Sequence, residues 1–157
     1  MRGRSTYKKN EHKPDYLYGR VDVGRFVNYL MTGGKKTAAE KAFYGAMDEV
    51  KKILKEDDPV KIFEKAMTNA SPILETVSRR VGGANYQVPR EVRPERKFFL
   101  ASRWIVNSAK AKKGKPMAKK LAEEIIAASK NEGAAIKKKQ DMHRIADANR
   151  AFASFAR

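Results

Sequence analysis

A single apolar stripe constrains this chain more than any other feature. Ala39, Ala42, Phe43, Ala46, Met47, Val50, Ile53 and Leu54 recur at three- and four-residue steps, the spacing that gathers side chains on one face of an α-helix. The spacing predicts a helix from about Lys36 to Lys55. A helix with one apolar face must bury it against other elements, so the rest of the chain has to supply them.

It supplies five more helical patterns. Val23, Val27 and Leu30, with Phe26 beside them, mark a helix from about Val21 to Met31, ended by Thr32-Gly33-Gly34 because Gly favours the position past a helix end. Asp58 and Pro59 are suited to the N-cap and first position of a third helix. That helix runs to about Asn69 and should bury Ile62, Phe63, Ala66 and Met67. A fourth runs from Arg93-Pro94 to about Lys112. A fifth starts at Pro116 and ends near Asn131, with Met117, Leu121 and Ile125 inside. A sixth spans about Ala134 to Ala151, anchored by Ile136, Ile145 and Phe152.

One stretch breaks the helical pattern. SRRVGGANYQVPREVRPERK, residues 78–97, has Gly82 and Gly83 between two β-like runs, Ile73 to Arg80 and Tyr86 to Val92. Gly-Gly and Asn supply the positive φ that hairpin turns demand. Pro89 lacks an N–H, so it must face outward or sit at a break. The expected fold is mainly α: a bundle of six helices with one protruding two-stranded β-hairpin at about 73–92. It forms one domain over 21–157, preceded by an extended basic arm over residues 1–20. A length of 157 residues suits a single core. An isolated two-stranded ribbon is marginal in water, so a projecting one needs a partner.

Charge points to that partner. There are 35 Lys and Arg against 18 Asp and Glu, a formal net charge of +17, which repels itself unless a polyanion neutralises it. The excess is uneven. Glu40 to Glu75 holds six Lys against eight acids, whereas Arg103 to Lys120 holds seven basic residues and no acid. The hairpin stretch 78–97 and the arm 1–20 each carry six basic residues against two acids. Arm, hairpin and fourth helix therefore make one basic side, across which a nucleic acid should lie. RNA fits better than DNA, because no helix-turn-helix or heptad pattern appears. Arg79, Arg80, Asn85, Tyr86 and Gln87 offer the planes and edges used on irregular RNA. Tyr7, Tyr16 and Tyr18 in the arm could stack on bases.

Other chemistry is poorly supported. No apolar run approaches the roughly 20 residues of a membrane span, and no signal-peptide pattern is seen. Without Cys there are no disulfides, thiolate metal sites or thiol catalysis, a composition that fits a reducing cytoplasm. Gly33-Gly34-Lys35-Lys36-Thr37 has the wrong spacing for a nucleotide-binding loop and reads as a turn with two phosphate-facing Lys. His12 and His143 are too far apart in sequence for a metal motif. His143 reads as a surface or packed residue. Glu123 and Glu124 are adjacent on a helix and should point to different sides, poor geometry for a catalytic pair. Trp104 beside Leu100 and Ile105 reads as core. No cofactor and no small-molecule substrate is expected.

FVNYLMTGGKKTAAEKAFYGA, SRRVGGANYQVPREVRPERK, LASRWIV and GAAIKKKQDMHRIADANRAFA closely resemble the bacterial form of the seventh small-subunit ribosomal protein. The resemblance runs from about Pro14 to Ala153. It implies a non-enzymatic, cytoplasmic component of the ribosome that binds small-subunit ribosomal RNA directly. Such a protein nucleates assembly of the head, the 3′ major domain, near the decoding region. The ribbon and sixth helix would lie by exit-site tRNA and mRNA, with the ninth and eleventh small-subunit proteins as neighbours. The implied ribosomal-RNA contacts in the first half are Arg2, Arg4, Lys8, Lys9, Lys13, Arg20, Arg25, Lys35 and Lys36. Further along they are Arg93, Arg96, Lys97, Arg103, Lys110, Lys112, Lys113, Lys115 and Met117. Arg79, Arg80, Gly82, Gly83, Asn85 and Tyr86 would form the tip near tRNA and mRNA, and His143 and Arg144 would lie near tRNA. The start of the chain, Val77 and the closing AFASFAR depart from the family's common pattern. A free-standing RNA-binding regulator, such as a repressor of its own messenger, would share the same charge map. An RNA-processing enzyme would need an acid–base or metal constellation, and none is visible.

Overall fold

The structure, a computed structural model, describes residues 11–55 and 58–156. Six α-helices follow in order: α1 (Val21–Leu30), α2 (Lys36–Leu54), α3 (Pro59–Ala70), α4 (Pro94–Ala111), α5 (Met117–Ser129) and α6 (Ala134–Ala148). Between α3 and α4 the chain forms β1 (Leu74–Val81) and β2 (Ala84–Glu91), and a 3-10 helix, Arg150–Ala156, closes the described residues. The expected helical bundle with an inserted antiparallel hairpin is what forms.

The core begins where α1, α2 and α3 meet. Phe26, Phe43 and Phe63, one from each helix, are fully buried. Their centroids are 5.0, 5.5 and 5.6 Å apart in tilted and edge-on pairs, the arrangements aromatic quadrupoles favour. α5 packs on α2, α3 and α4 and inserts Leu121 and Ile125, both buried. Asp58 caps α3 as its sequence position predicts, its carboxylate accepting from the Val60 N–H at 3.1 Å.

Several expectations need correction. Ile53 is on the surface, 55% exposed, while Leu54 beside it packs against the core, because Ile53 lies at the flank of the stripe and Leu54 near its centre. Ile145 is also exposed. The sixth helix stops at Ala148, and Phe152 lies in the 3-10 segment against the ribbon rather than in the bundle.

The hairpin is tighter than the sequence reading. Val81 pairs with Ala84, so Gly82 and Gly83 alone make the turn, both at positive φ, +57° and +89°. That is the requirement of a type I′ turn. Pro89 is inside β2, opposite Thr76, and is buried. Its missing donor costs nothing to the ladder. The Val92 N–H donates to the Ile73 carbonyl, and pairs alternate from there. Thr76–Pro89 is therefore a non-hydrogen-bonded pair whose N–H would point away from β1.

Within the described part of the arm, residues 15–20 form a closed turn: the Asp15 N–H donates to the Arg20 carbonyl at 2.9 Å and the Gly19 N–H to the Asp15 carbonyl at 3.0 Å. Asp15, 8% exposed, accepts from the Leu17 and Tyr18 N–H groups at 3.1 Å and from the Tyr44 hydroxyl at 2.7 Å. A Cβ at Gly24 would sit 2.9 Å from the Lys13 carbonyl oxygen, so only glycine lets the arm lie this close to α1. Arg2, Arg4, Tyr7, Lys8 and Lys9 fall outside the described residues.

Candidate nucleic-acid interface

α4 carries the centre of the basic side. Arg96, Phe99, Arg103 and Lys110 follow one another at steps of three, four and seven residues, which places them on one helical face. The Arg96 guanidinium carbon lies 5.0 Å from the Phe99 ring centroid and that of Arg103 lies 5.7 Å from it. From α1, Arg25 stacks on Phe98 at 4.6 Å. Tyr29 meets Phe99 edge-on at 5.4 Å and Phe98 at 6.3 Å. The cationic and aromatic groups thus form one interleaved surface across α1 and α4. Lys110 Nζ reaches Thr32 Oγ1 at 3.4 Å, bringing the far end of α4 to the turn that carries the exposed Lys35 and Lys36.

The ribbon is tied to this surface through Glu75. Its carboxylate is buried and accepts from Arg90 at 2.8 and 3.1 Å and from Arg96 at 3.2 Å. Burial by itself would push its carboxyl pKa up. The two arginines outweigh burial and hold it below the usual value, so the group stays ionised.

The tip residues divide between two faces. Arg79 pairs with Tyr86, and Arg80 with Asn85, so alternation puts the first pair on one side and the second on the other. The chain's own end lies on the first. Tyr86 is 5.1 Å from Phe152 and 5.5 Å from Phe155, and Arg79 donates to the Phe155 carbonyl. Arg80 and Asn85 are exposed on the other.

Other basic residues are engaged within the chain. Arg20 pairs with Asp22 at 2.9 Å and also with Glu64. Lys36 approaches Glu40 at 3.9 Å. Lys112 reaches Glu124 at 3.0 Å and Glu123 at 3.8 Å, and Lys115 pairs with Glu123. These two adjacent carboxylates therefore converge on one ammonium, contrary to the expected divergence. Glu124 is buried and also accepts from the Ala135 N–H at 3.0 Å, satisfying the start of α6. Lys13, Arg93 and Lys113 are exposed, Lys97 is half-buried, and Met117 packs against the core.

His143 faces the ribbon base: its Nε2 accepts from the Ile73 N–H at 3.0 Å. Burial and neighbouring Lys139 hold its pKa below the usual imidazole value, which favours the neutral acceptor form. Arg144 is exposed and donates to Asp141 at 2.8 Å.

Sequence reasoning found the arginines of this surface and missed Tyr29, Phe98 and Phe99. The signal was available: Arg96, Phe99 and Arg103 stand at helical spacing, so the ring lies between two cations.

A compact helical scaffold with a basic, aromatic-backed face and a projecting ribbon is the class that fold and surface define. The family model for ribosomal protein S7p/S5e matches residues 1–150. The small ribosomal subunit protein uS7 of Thermotoga neapolitana is 53% identical over 152 residues, 97% of each chain. That of Thermotoga petrophila is 55% identical over 142 residues, 90% of this chain and 91% of its own. That of Teredinibacter turnerae is 47% identical over 155 residues, 99% of each. The chain belongs to the S7p/S5e family of ribosomal proteins.

Proposed function

We propose that this protein is a structural constituent of the small ribosomal subunit that binds small-subunit ribosomal RNA directly and nucleates assembly of the head. The observation that carries the reading is the α1–α4 surface. Arg25, Arg96, Arg103 and Lys110 share it, and Glu75, an acid that reaches into it, is already matched by two arginines. Such a surface neutralises phosphates and releases their counterions. The near-full-length likeness to small-subunit proteins supplies the setting.

In this reading Arg93, Lys97, Lys113, Lys35 and Lys36 extend the contact with ribosomal RNA. The ribbon tip, with Arg80, Gly82, Gly83 and Asn85, lies beside exit-site tRNA and mRNA, and Arg144 lies near the same tRNA. His143, which also supports the ribbon through the Ile73 N–H, lies near that tRNA too. The ninth and eleventh small-subunit proteins are the neighbours.

The test is binding to an isolated 3′ major domain RNA fragment across a salt series, against an unrelated structured RNA of equal length. Tight binding to the fragment that persists in salt supports the reading. Replacing Arg96, Lys97 and Arg103 together should flatten the salt dependence by about 0.7–0.9 log unit for each phosphate no longer neutralised. Equal, steep curves for both RNAs would reduce the charge to generic attraction and overturn the reading.

A further inference from the structure

Two of the three arginines on the α1–α4 surface, Arg25 and Arg103, face an aromatic ring where several other cations face a carboxylate. Arg20, Lys112 and Lys115 are taken up by carboxylates. Arg25 and Arg103 lie instead over aromatic rings, and Arg96 is held between the Phe99 ring and Glu75. The Arg25 Nε is buried with no hydrogen-bond partner among the described residues, so the Phe98 ring is what fixes that plane. Phe98 and Phe99 are half-buried, and Tyr29 braces both from α1.

A guanidinium stacked on a ring keeps its charge and its outward N–H edges but loses rotational freedom. A carboxylate would consume those donors; a ring does not. Side chains already ordered avoid the entropy of ordering on binding. Fixed planes at fixed separations also accept only a backbone whose phosphates match them. Loose lysines would accept any.

We propose that Phe98 and Phe99 are positioning residues for RNA recognition: they hold Arg25, Arg96 and Arg103 as a rigid array that selects the phosphate path of one folded RNA. The inference rests on the α1–α4 surface being the ribosomal-RNA contact, and it assigns the discrimination between RNAs to two apolar side chains that carry no charge.

The test uses the full chain with Phe99→Leu, Phe99→Trp and Arg103→Lys, each titrated with the 3′ major domain fragment and with the unrelated RNA. Phe99→Leu keeps every charge but removes the ring. It should bind the fragment about tenfold more weakly, with little change on the control RNA and an unchanged salt slope. Phe99→Trp should restore the preference. Arg103→Lys, at an exposed site where folding is not at stake, should weaken fragment binding without altering the slope, because Lys keeps the charge but not the plane. A wild-type preference for the fragment that survives both Phe99→Leu and Arg103→Lys would overturn the inference and leave the proposed function standing. A wild-type protein without preference would overturn the proposed function and the inference with it.

Discussion

Arg96 donates its Nε–H to Glu75 across 3.2 Å, so the first turn of α4 is fastened to the first strand of the ribbon. Arg90 completes the clamp from β2. A buried carboxylate thereby sets the ribbon's base against the proposed RNA-binding helix.

Removing that carboxylate should loosen both. Glu75→Gln keeps the shape and loses the charge, and should cost about 1–3 kcal/mol. The lower part of that range is favoured, because both arginines are about half exposed and solvent screens them. The folded pKa lies below 4.5. The contribution is therefore fully present above about pH 4.5 and is lost as pH falls through the lowered folded value. Urea midpoints from pH 6 to about pH 3 should fall more steeply for wild type than for the variant. Parallel curves would show that the clamp contributes nothing.

The ribbon's other fastening is an imidazole. His143 accepts from the Ile73 N–H only while Nε2 is unprotonated. Its folded pKa is depressed below 6.5, so its contribution is complete above that value and is lost as pH falls through the depressed one. The groups nearest to it in charge are Lys139, which lowers its pKa, and Asp147, which raises it. The protection factor of the Ile73 amide should fall as pH drops below about 6.5, and His143→Gln should remove that pH dependence. An Ile73 amide equally protected across the range would contradict the assignment.

The helices were legible in the sequence because a 3.6-residue period survives in each one, and Asp58, Gly82 and Gly83 announced a cap and a turn. What escaped was pairing at a distance. Nothing in the sequence near Glu124 says that it will cap α6. The spacing of Tyr16 and Tyr18 likewise does not say that the first stays 97% exposed while the second packs against Tyr44. Ile53 and Ile145 continue a helical stripe, but a periodic pattern cannot report how wide a face the neighbouring elements cover. The basic side was readable as charge, whereas which cations are consumed internally depends on partners up to dozens of residues away, as Arg20 and Glu64 show.

The arm's attachment offers an independent test. Burial, then the hydrogen bond to Asp15, pushes the Tyr44 pKa up to about 12, so the phenol stays a donor throughout the physiological range. Tyr44→Phe leaves a buried carboxylate short of a donor and should cost about 1–3 kcal/mol. Gly24→Ala should displace the arm through its clash with the Lys13 carbonyl. In both variants, proteolysis between residues 11 and 20 should become faster than in wild type. Wild-type cleavage rates in both would mean that the arm is held by other interactions.

Arg79 and Arg80 are neighbours in sequence but should behave differently when replaced. Arg79 shares its ribbon face with Tyr86 and reaches the Phe155 carbonyl, whereas Arg80 is exposed on the opposite face. Arg79→Ala should therefore release the 3-10 segment and reduce amide protection along β2, as should Phe152→Ala. Arg80→Ala should leave that protection unchanged and, on the proposed function, alter retention of tRNA at the exit site of assembled subunits. The ring–ring packing that Phe152→Ala removes is worth about 0.5–1.5 kcal/mol beyond its buried area, enough to register in exchange rates while the bundle stays intact. Identical exchange patterns for Arg79→Ala and Arg80→Ala would mean that the two faces of the ribbon are not distinguished by the chain's own end.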